Sequence, residues 1–114
     1  MKTSARRVRV ARLVVHATTG VAPSEYGGNL YLQLRAPDAA RSLVNERLLA
    51  AATYRAAATV EERIGEASTC AVCVDATEGR IHLEFAERAP LAELERARGV
   101  LEAVMAVVNQ LGQV

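Results

Sequence analysis

The chain has 114 residues, 51% hydrophobic and 24% charged, a composition that supports a single buried core and excludes a disordered polymer. Its longest apolar stretch, Val100–Val108, is interrupted by Glu102 and is too short to span a bilayer. Near the N-terminus Val8 and Val10 alternate with Arg7, Arg9 and Arg12, where a signal peptide needs a continuous apolar run, so the chain reads as cytoplasmic with no membrane partner.

The net charge of +1 is unevenly placed: residues 1–37 carry six basic residues against Glu25 alone, and the remainder carries eight Arg against twelve acids. Arg6, Arg7, Arg9 and Arg12 are therefore candidate contacts for RNA phosphates. The plainer reading of the same charges is a solvated edge strand protected from aggregation. Residues 1–114 read as one domain, with 1–6 as a basic arm open to disorder.

In chain order, the Val-rich run Arg7–His16 predicts a strand. Val8 and Val10 share one face and Leu13 and Val15 the other, which predicts a bulge near Ala11–Arg12. Gly20–Asn29, with Pro23 and the pair Gly27–Gly28, reads as the longest loop. Leu30, Leu32 and Leu34 then alternate with Tyr31, Gln33 and Arg35, the pattern of a half-buried strand. Pro37 followed by Asp38 predicts a helix start with Asp38 as N-cap. The run Ala39–Ala58 is rich in Ala and Leu, with Val44, Leu48 and Ala51 or Ala52 on one apolar stripe. Thr59-Val-Glu-Glu62 has the form of a capping box. It reads either as a break before a short second helix ending near Gly65 or as part of one helix passing through.

Cys70–Ala76 and Ile81–Ala86 predict a hairpin across Glu78-Gly79. A two-residue turn there pairs Val74 with Leu83, Val72 with Phe85, Asp75 with His82 and Cys73 with Glu84, leaving one face apolar and the other polar. Pro90 opens the last helix. Leu94, Ala97, Leu101, Val104, Val108 and Leu111 follow at spacings of three and four. Val100, Met105 and Val107 lie outside that seam, so the helix has more apolar surface than one sheet face covers. The fold class is therefore α+β: a small antiparallel sheet in ββαββα order with helices on one face. The surplus apolar surface of the last helix predicts a homodimer interface formed by Val100, Leu101, Val104, Met105, Val107, Val108 and Leu111.

The chemistry-bearing residues are few. Cys70 and Cys73 form a CxxC, but residues three apart on a strand face opposite ways, so both read as space-filling side chains rather than a redox pair. Cys73, Asp75, His82 and Glu84 share the polar hairpin face and are zinc-ligand types; the plain reading is a solvated face with Asp75 paired to His82. Gly27, Gly28 and Asn29 present backbone N–H groups without the lysine or helix of a phosphate loop. No catalytic set, metal site or cofactor is assigned.

Two resemblances add to this reading. Thr19-Gly-Val-Ala-Pro-Ser-Glu25 resembles the GVxPxE run in the first hairpin of dihydroneopterin aldolases, and Glu62-Arg-Ile-Gly-Glu-Ala67 is similar to the end of that family's second helix. This implies a tunnelling fold of ββααββ order acting on a pterin-like substrate, with Glu25 in the active-site loop. The family's lysine near its end has no counterpart, since Lys2 is the only lysine. Residues 30–112 instead resemble in plan the Pcc1 family, the small subunits of the KEOPS tRNA-modifying complex: a strand, a helix after Ala36-Pro-Asp38, a hairpin and a long apolar C-terminal helix. That resemblance implies a non-catalytic, homodimerising subunit bridging copies of another protein subunit, with Gly99–Leu111 as the dimer helix. It is preferred because it uses the over-apolar last helix.

Overall fold

The computed structural model describes residues 15–22, 29–37, 42–65, 70–86 and 89–111. Four strands, β1 (His16–Ala22), β2 (Asn29–Arg35), β3 (Ala71–Asp75) and β4 (Arg80–Glu84), form an antiparallel sheet in the spatial order β1-β2-β4-β3. Helices α1 (Leu43–Ile64) and α2 (Leu91–Leu111) complete the ββαββα order and α+β class expected from sequence. The period-two alternation of β2 and β4 turns Leu30, Leu32, Leu34, Ile81 and Leu83 to one side. They pack there with Ala56, Ala57, Val60 and Ile64 of α1 and Ala97, Leu101 and Val104 of α2. Each buried Leu, Ile or Val among them contributes about 1.5–3 kcal/mol relative to exposure. The opposite face carries Tyr31, Gln33, Cys73, Asp75, Arg80, His82 and Glu84, and the described elements leave it uncovered.

The first hairpin is longer than its glycines suggest. Gly20, Val21 and Ala22, expected in the loop, are strand residues paired with Tyr31, Leu30 and Asn29. Gly20 belongs there because the Tyr31 ring occupies the space a side chain at position 20 would need. Of the strand expected over Arg7–His16, residues 7–14 lie outside the described residues, as do the bulge near Ala11–Arg12 and the cap at Asp38, and its last residue, His16, opens β1.

Helix α1 starts on Ser42. Ser42 is extended (φ −151°, ψ 161°) and its hydroxyl oxygen accepts from the Asn45 N–H at 3.2 Å. The helix then runs unbroken through Thr59, whose hydroxyl donates back to the Arg55 carbonyl at 3.1 Å instead of capping a new turn. It ends where Gly65, at φ 73°, donates its N–H to the Glu61 carbonyl at 3.0 Å. Arg96 of α2 caps the same end by donating to the Ile64 carbonyl at 3.1 Å. The stripe that enters the core is Thr53, Ala56, Ala57, Val60 and Ile64; of the stripe expected from sequence, Ala52 packs against that core, while Val44, Leu48 and Ala51 are exposed. The small Ala56 and Ala57 let the helix close onto the sheet, and Thr53, fully buried, satisfies its hydroxyl by donating to the Leu49 carbonyl at 2.7 Å.

The second hairpin keeps the expected faces in a different register. Val72 pairs with Leu83, Cys73 with His82, Val74 with Ile81 and Asp75 with Arg80. Four residues, Ala76–Gly79, make the turn in place of two. Asp75 Oδ1 accepts the Glu78 N–H at 3.2 Å, and Gly79 turns the chain at φ 70°. The turn is also tied to β2: the Leu34 N–H donates to the Gly79 carbonyl at 2.7 Å, and Gln33 Nε2 donates to the Glu78 carbonyl at 2.6 Å. A slip of two residues preserves the in-out alternation, so both registers satisfy the same hydrophobic pattern. The contacts with β2 select the observed one.

Candidate functional site

The residues proposed from sequence for a dimer interface are mostly committed to the chain's own core. Leu101 and Val104 are 1% and 3% exposed beneath the sheet. Val100, Met105 and Val108 are half-buried against the same core. Val107, 44% exposed, faces outward, and the side chain of Leu111 lies outside what is described. The outward side of α2 otherwise carries Leu91, 69% exposed, with Glu95, Arg98, Gly99, Glu102, Ala106 and Gln110, Arg98 and Glu102 being paired at 3.4 Å one turn apart. Val100 and Met105, beside the seam, are absorbed because α2 sits in the angle between the sheet and α1 and is covered on two sides.

The larger group of exposed apolar side chains is on α1. Leu43 and Val44 are each 66% exposed, Tyr54 is 61% exposed, and Leu48 also faces out. Along the exposed side, Arg47, Ala51, Tyr54, Ala58 and Glu61 follow at spacings of four, three, four and three, all open to solvent. On a helical wheel this row lies opposite the buried Ala56 and Val60. Its signal was present in the sequence, but an Ala-rich helix is apolar on several sides, and the half containing Val44 and Leu48 resembled a core stripe.

The open sheet face holds two polar groupings. Arg80 lies over the Tyr31 ring with its guanidinium carbon 4.6 Å from the centroid, a cation–π contact beside Thr18, Gln33 and Arg35. Next to it, Cys73 stands directly opposite His82, and Glu84 follows His82 by two positions on the same face. His82 Nε2 and Glu84 Oε1 are 3.2 Å apart, and the candidate ligand atoms of Cys73, His82 and Glu84 all lie within 4.8 Å of one another. Burial, and after it the charge and hydrogen bond of Glu84, push the Cys73 thiol above its ordinary pKa. Asp75, expected beside His82, instead accepts within the turn. Cys70 packs toward the core while Cys73 faces the open side, and neither forms a disulfide, as the divergence of the CxxC implies.

A cleft of about 410 Å³ lies between the end of β2 and the start of α1, lined by Gln33, Arg35, Pro37, Asn45, Glu46 and Glu78 among others. Glu25, the residue carried by the aldolase resemblance, and the basic residues Arg6, Arg7, Arg9 and Arg12 lie outside the described residues. Among the described residues one helix lies between the hairpins and a second follows them, where the aldolase resemblance implies ββααββ. No described helix is long and apolar enough to cross a membrane. No protein-family model matches the chain, and no curated protein or solved structure matches it at a significant level.

Proposed function

We propose that the chain is a small non-catalytic subunit that homodimerises through the outer face of α1 and scaffolds a larger assembly, of the kind that modifies tRNA. The observation that carries this reading is the row Arg47, Ala51, Tyr54, Ala58 and Glu61, exposed together and flanked by Leu43, Val44 and Leu48. An apolar surface of this extent on one helix marks an interaction site rather than a solvated face.

The row is also self-complementary. Tyr54 is at its centre, with an alanine on either side, an arginine at one end and a glutamate at the other. Arg47 and Glu61 each stand seven residues from Tyr54, about 10 Å along the helix. Two copies meeting antiparallel about a two-fold axis near Tyr54 bring the Arg47 end of each onto the Glu61 end of the other. Neither residue has an ion-pair partner among the described residues of its own chain. The alanines let the helices approach closely, and the tyrosines supply the large buried area. Exposed charge pairs are worth only about 0.2–1 kcal/mol each, so they set direction more than affinity.

Sedimentation of the intact chain at micromolar concentration is expected to give a dimer. Arg47→Glu places like charges at both ends and is expected to shift the protein to monomer. Adding Glu61→Arg to that variant restores opposite charges and the dimer. A monomeric unmodified chain, or a dimer indifferent to both Arg47→Glu and Tyr54→Arg, would overturn the self-association. Copurification from native extract with a catalytic tRNA-modifying subunit is the expected second result; its absence removes the tRNA-modifying assembly.

A further inference from the structure

We propose that Cys73, His82 and Glu84 form a binding site for a divalent ion of the zinc class on the open face of the sheet. The observed hairpin register makes the site. Directly opposed residues on neighbouring antiparallel strands hold their Cβ atoms about 5 Å apart, and residues i and i+2 on one strand point the same way. Cys73 opposite His82, with Glu84 next on the same face of β4, therefore aims a sulfur, an imidazole nitrogen and a carboxylate oxygen at one point. In the two-residue-turn register expected from sequence, Cys73 instead faces Glu84 and His82 faces Asp75.

The distances suit a metal. Ligand atoms about 2.0–2.3 Å from a tetrahedral ion stand roughly 3.3–3.7 Å from one another. The His82–Glu84 separation is 3.2 Å, and every pair in the trio lies within 4.8 Å. Half-buried Cys73 and His82 and exposed Glu84 can close the remaining distance by side-chain rotation, without moving the strands.

The neighbours leave room as well. Tyr31 is the β2 residue beside His82, and its ring lies over Gly20, on the far side of Tyr31 from His82. A thiolate and an imidazole favour zinc, cobalt or copper over magnesium or calcium, and one thiolate with one carboxylate neutralises a divalent charge. Binding releases the Cys73 thiol proton to solvent and uses the neutral form of His82. Three protein ligands leave a fourth position for water. This site is independent of the α1 face, so each proposal stands or fails alone.

The test is a titration of the untagged, chelator-treated full chain with cobalt(II) as a spectroscopic substitute for zinc. One equivalent per chain is expected to produce the visible bands of tetrahedral cobalt and a near-ultraviolet thiolate charge-transfer band, both removed by zinc. Cys73→Ser is expected to abolish the charge-transfer band, His82→Ala and Glu84→Gln to weaken binding at least tenfold, and Cys70→Ser to leave it unchanged. Circular dichroism of each variant verifies the fold, which substitutions on the uncovered face leave intact. Absence of tetrahedral bands in the folded unmodified chain would overturn the site. So would a thiolate band that persists in Cys73→Ser, or binding indifferent to both His82→Ala and Glu84→Gln.

Discussion

The side-chain amide of Asn109 grips the backbone of Ala17 at two points, accepting its N–H through Oδ1 at 2.7 Å and donating Nδ2–H to its carbonyl at 3.0 Å. The two residues are 92 positions apart, and the bond pair ties the last turns of α2 to β1, an outer strand among those described. Backbone groups on an edge strand otherwise stand open to pairing with another chain. Asn109 gives those of Ala17 the partners that a neighbouring strand would supply.

Asn109→Ala is therefore expected to lower stability by about 1–3 kcal/mol, since it leaves a donor and an acceptor in a part-buried place without partners. Denaturant melts measure this directly. Asn109→Asp keeps the acceptor but sets a carboxylate against the Ala17 carbonyl, so its deficit is expected to be larger at neutral pH than in mild acid, where the protonated carboxyl can donate. A deficit that does not change with pH would show that the introduced carboxylate had turned away from Ala17.

Leu83 and Phe85 are on the same face, yet their truncations should not cost the same. Leu83 is fully buried, whereas Phe85 lies past the end of β4 and is only half-buried against the core. Leu83→Ala is expected to cost about 2–5 kcal/mol, the range for a dry aliphatic site. Phe85→Ala falls below the usual range for a buried aromatic, at about 1–3 kcal/mol, because solvent already reaches the ring. Equal losses would contradict the observed end of the strand.

Gly65 and Gly79 both have positive φ, 73° and 70°, but only Gly79 is enclosed. A Cβ at position 79 would run into the Leu34 carbonyl oxygen, part of the backbone that the turn is bonded to, whereas a Cβ at position 65 meets nothing within 4 Å. Gly65→Ala is expected to cost about 1–2 kcal/mol from backbone conformation alone. Gly79→Ala costs more than that and weakens the Leu34–Gly79 hydrogen bond, which faster exchange of the Leu34 amide in the variant than in the unmodified protein would report.

In metal-free protein, Cys73 is expected to be a slow nucleophile at mildly alkaline pH. Its thiol is held above its ordinary pKa by burial first and by Glu84 second, and only the thiolate reacts. Glu84→Gln removes the charge, lowers the pKa and speeds alkylation at a fixed pH, measured in a Cys70→Ser background. The linked stability has a definite sign. A raised pKa favours the neutral thiol in the folded state, so this contribution is full below the unfolded-state pKa and is lost as pH rises through the folded one. An unaltered rate in Glu84→Gln would leave burial as the sole cause.

The sequence by itself determined the features with a short period. The alternation of Leu30, Leu32 and Leu34 with Tyr31, Gln33 and Arg35 decided which side of β2 is dry, and the order of strand and helix patterns decided the α+β class. These follow from local geometry, since a strand repeats every two residues and a helix every 3.6. The decisions left to tertiary structure are those between alternatives that the local pattern satisfies equally. Two hairpin registers two residues apart share the same faces, and contacts of Gly79 and Glu78 with β2 chose the one that sets Cys73 against His82. Helix α1 has apolar residues on more than one side, and only docking on the sheet turned Ala56, Ala57 and Val60 inward and left Val44, Leu48 and Tyr54 outside. Packing energy depends on which surfaces meet across the fold, a relationship that neighbouring letters do not contain.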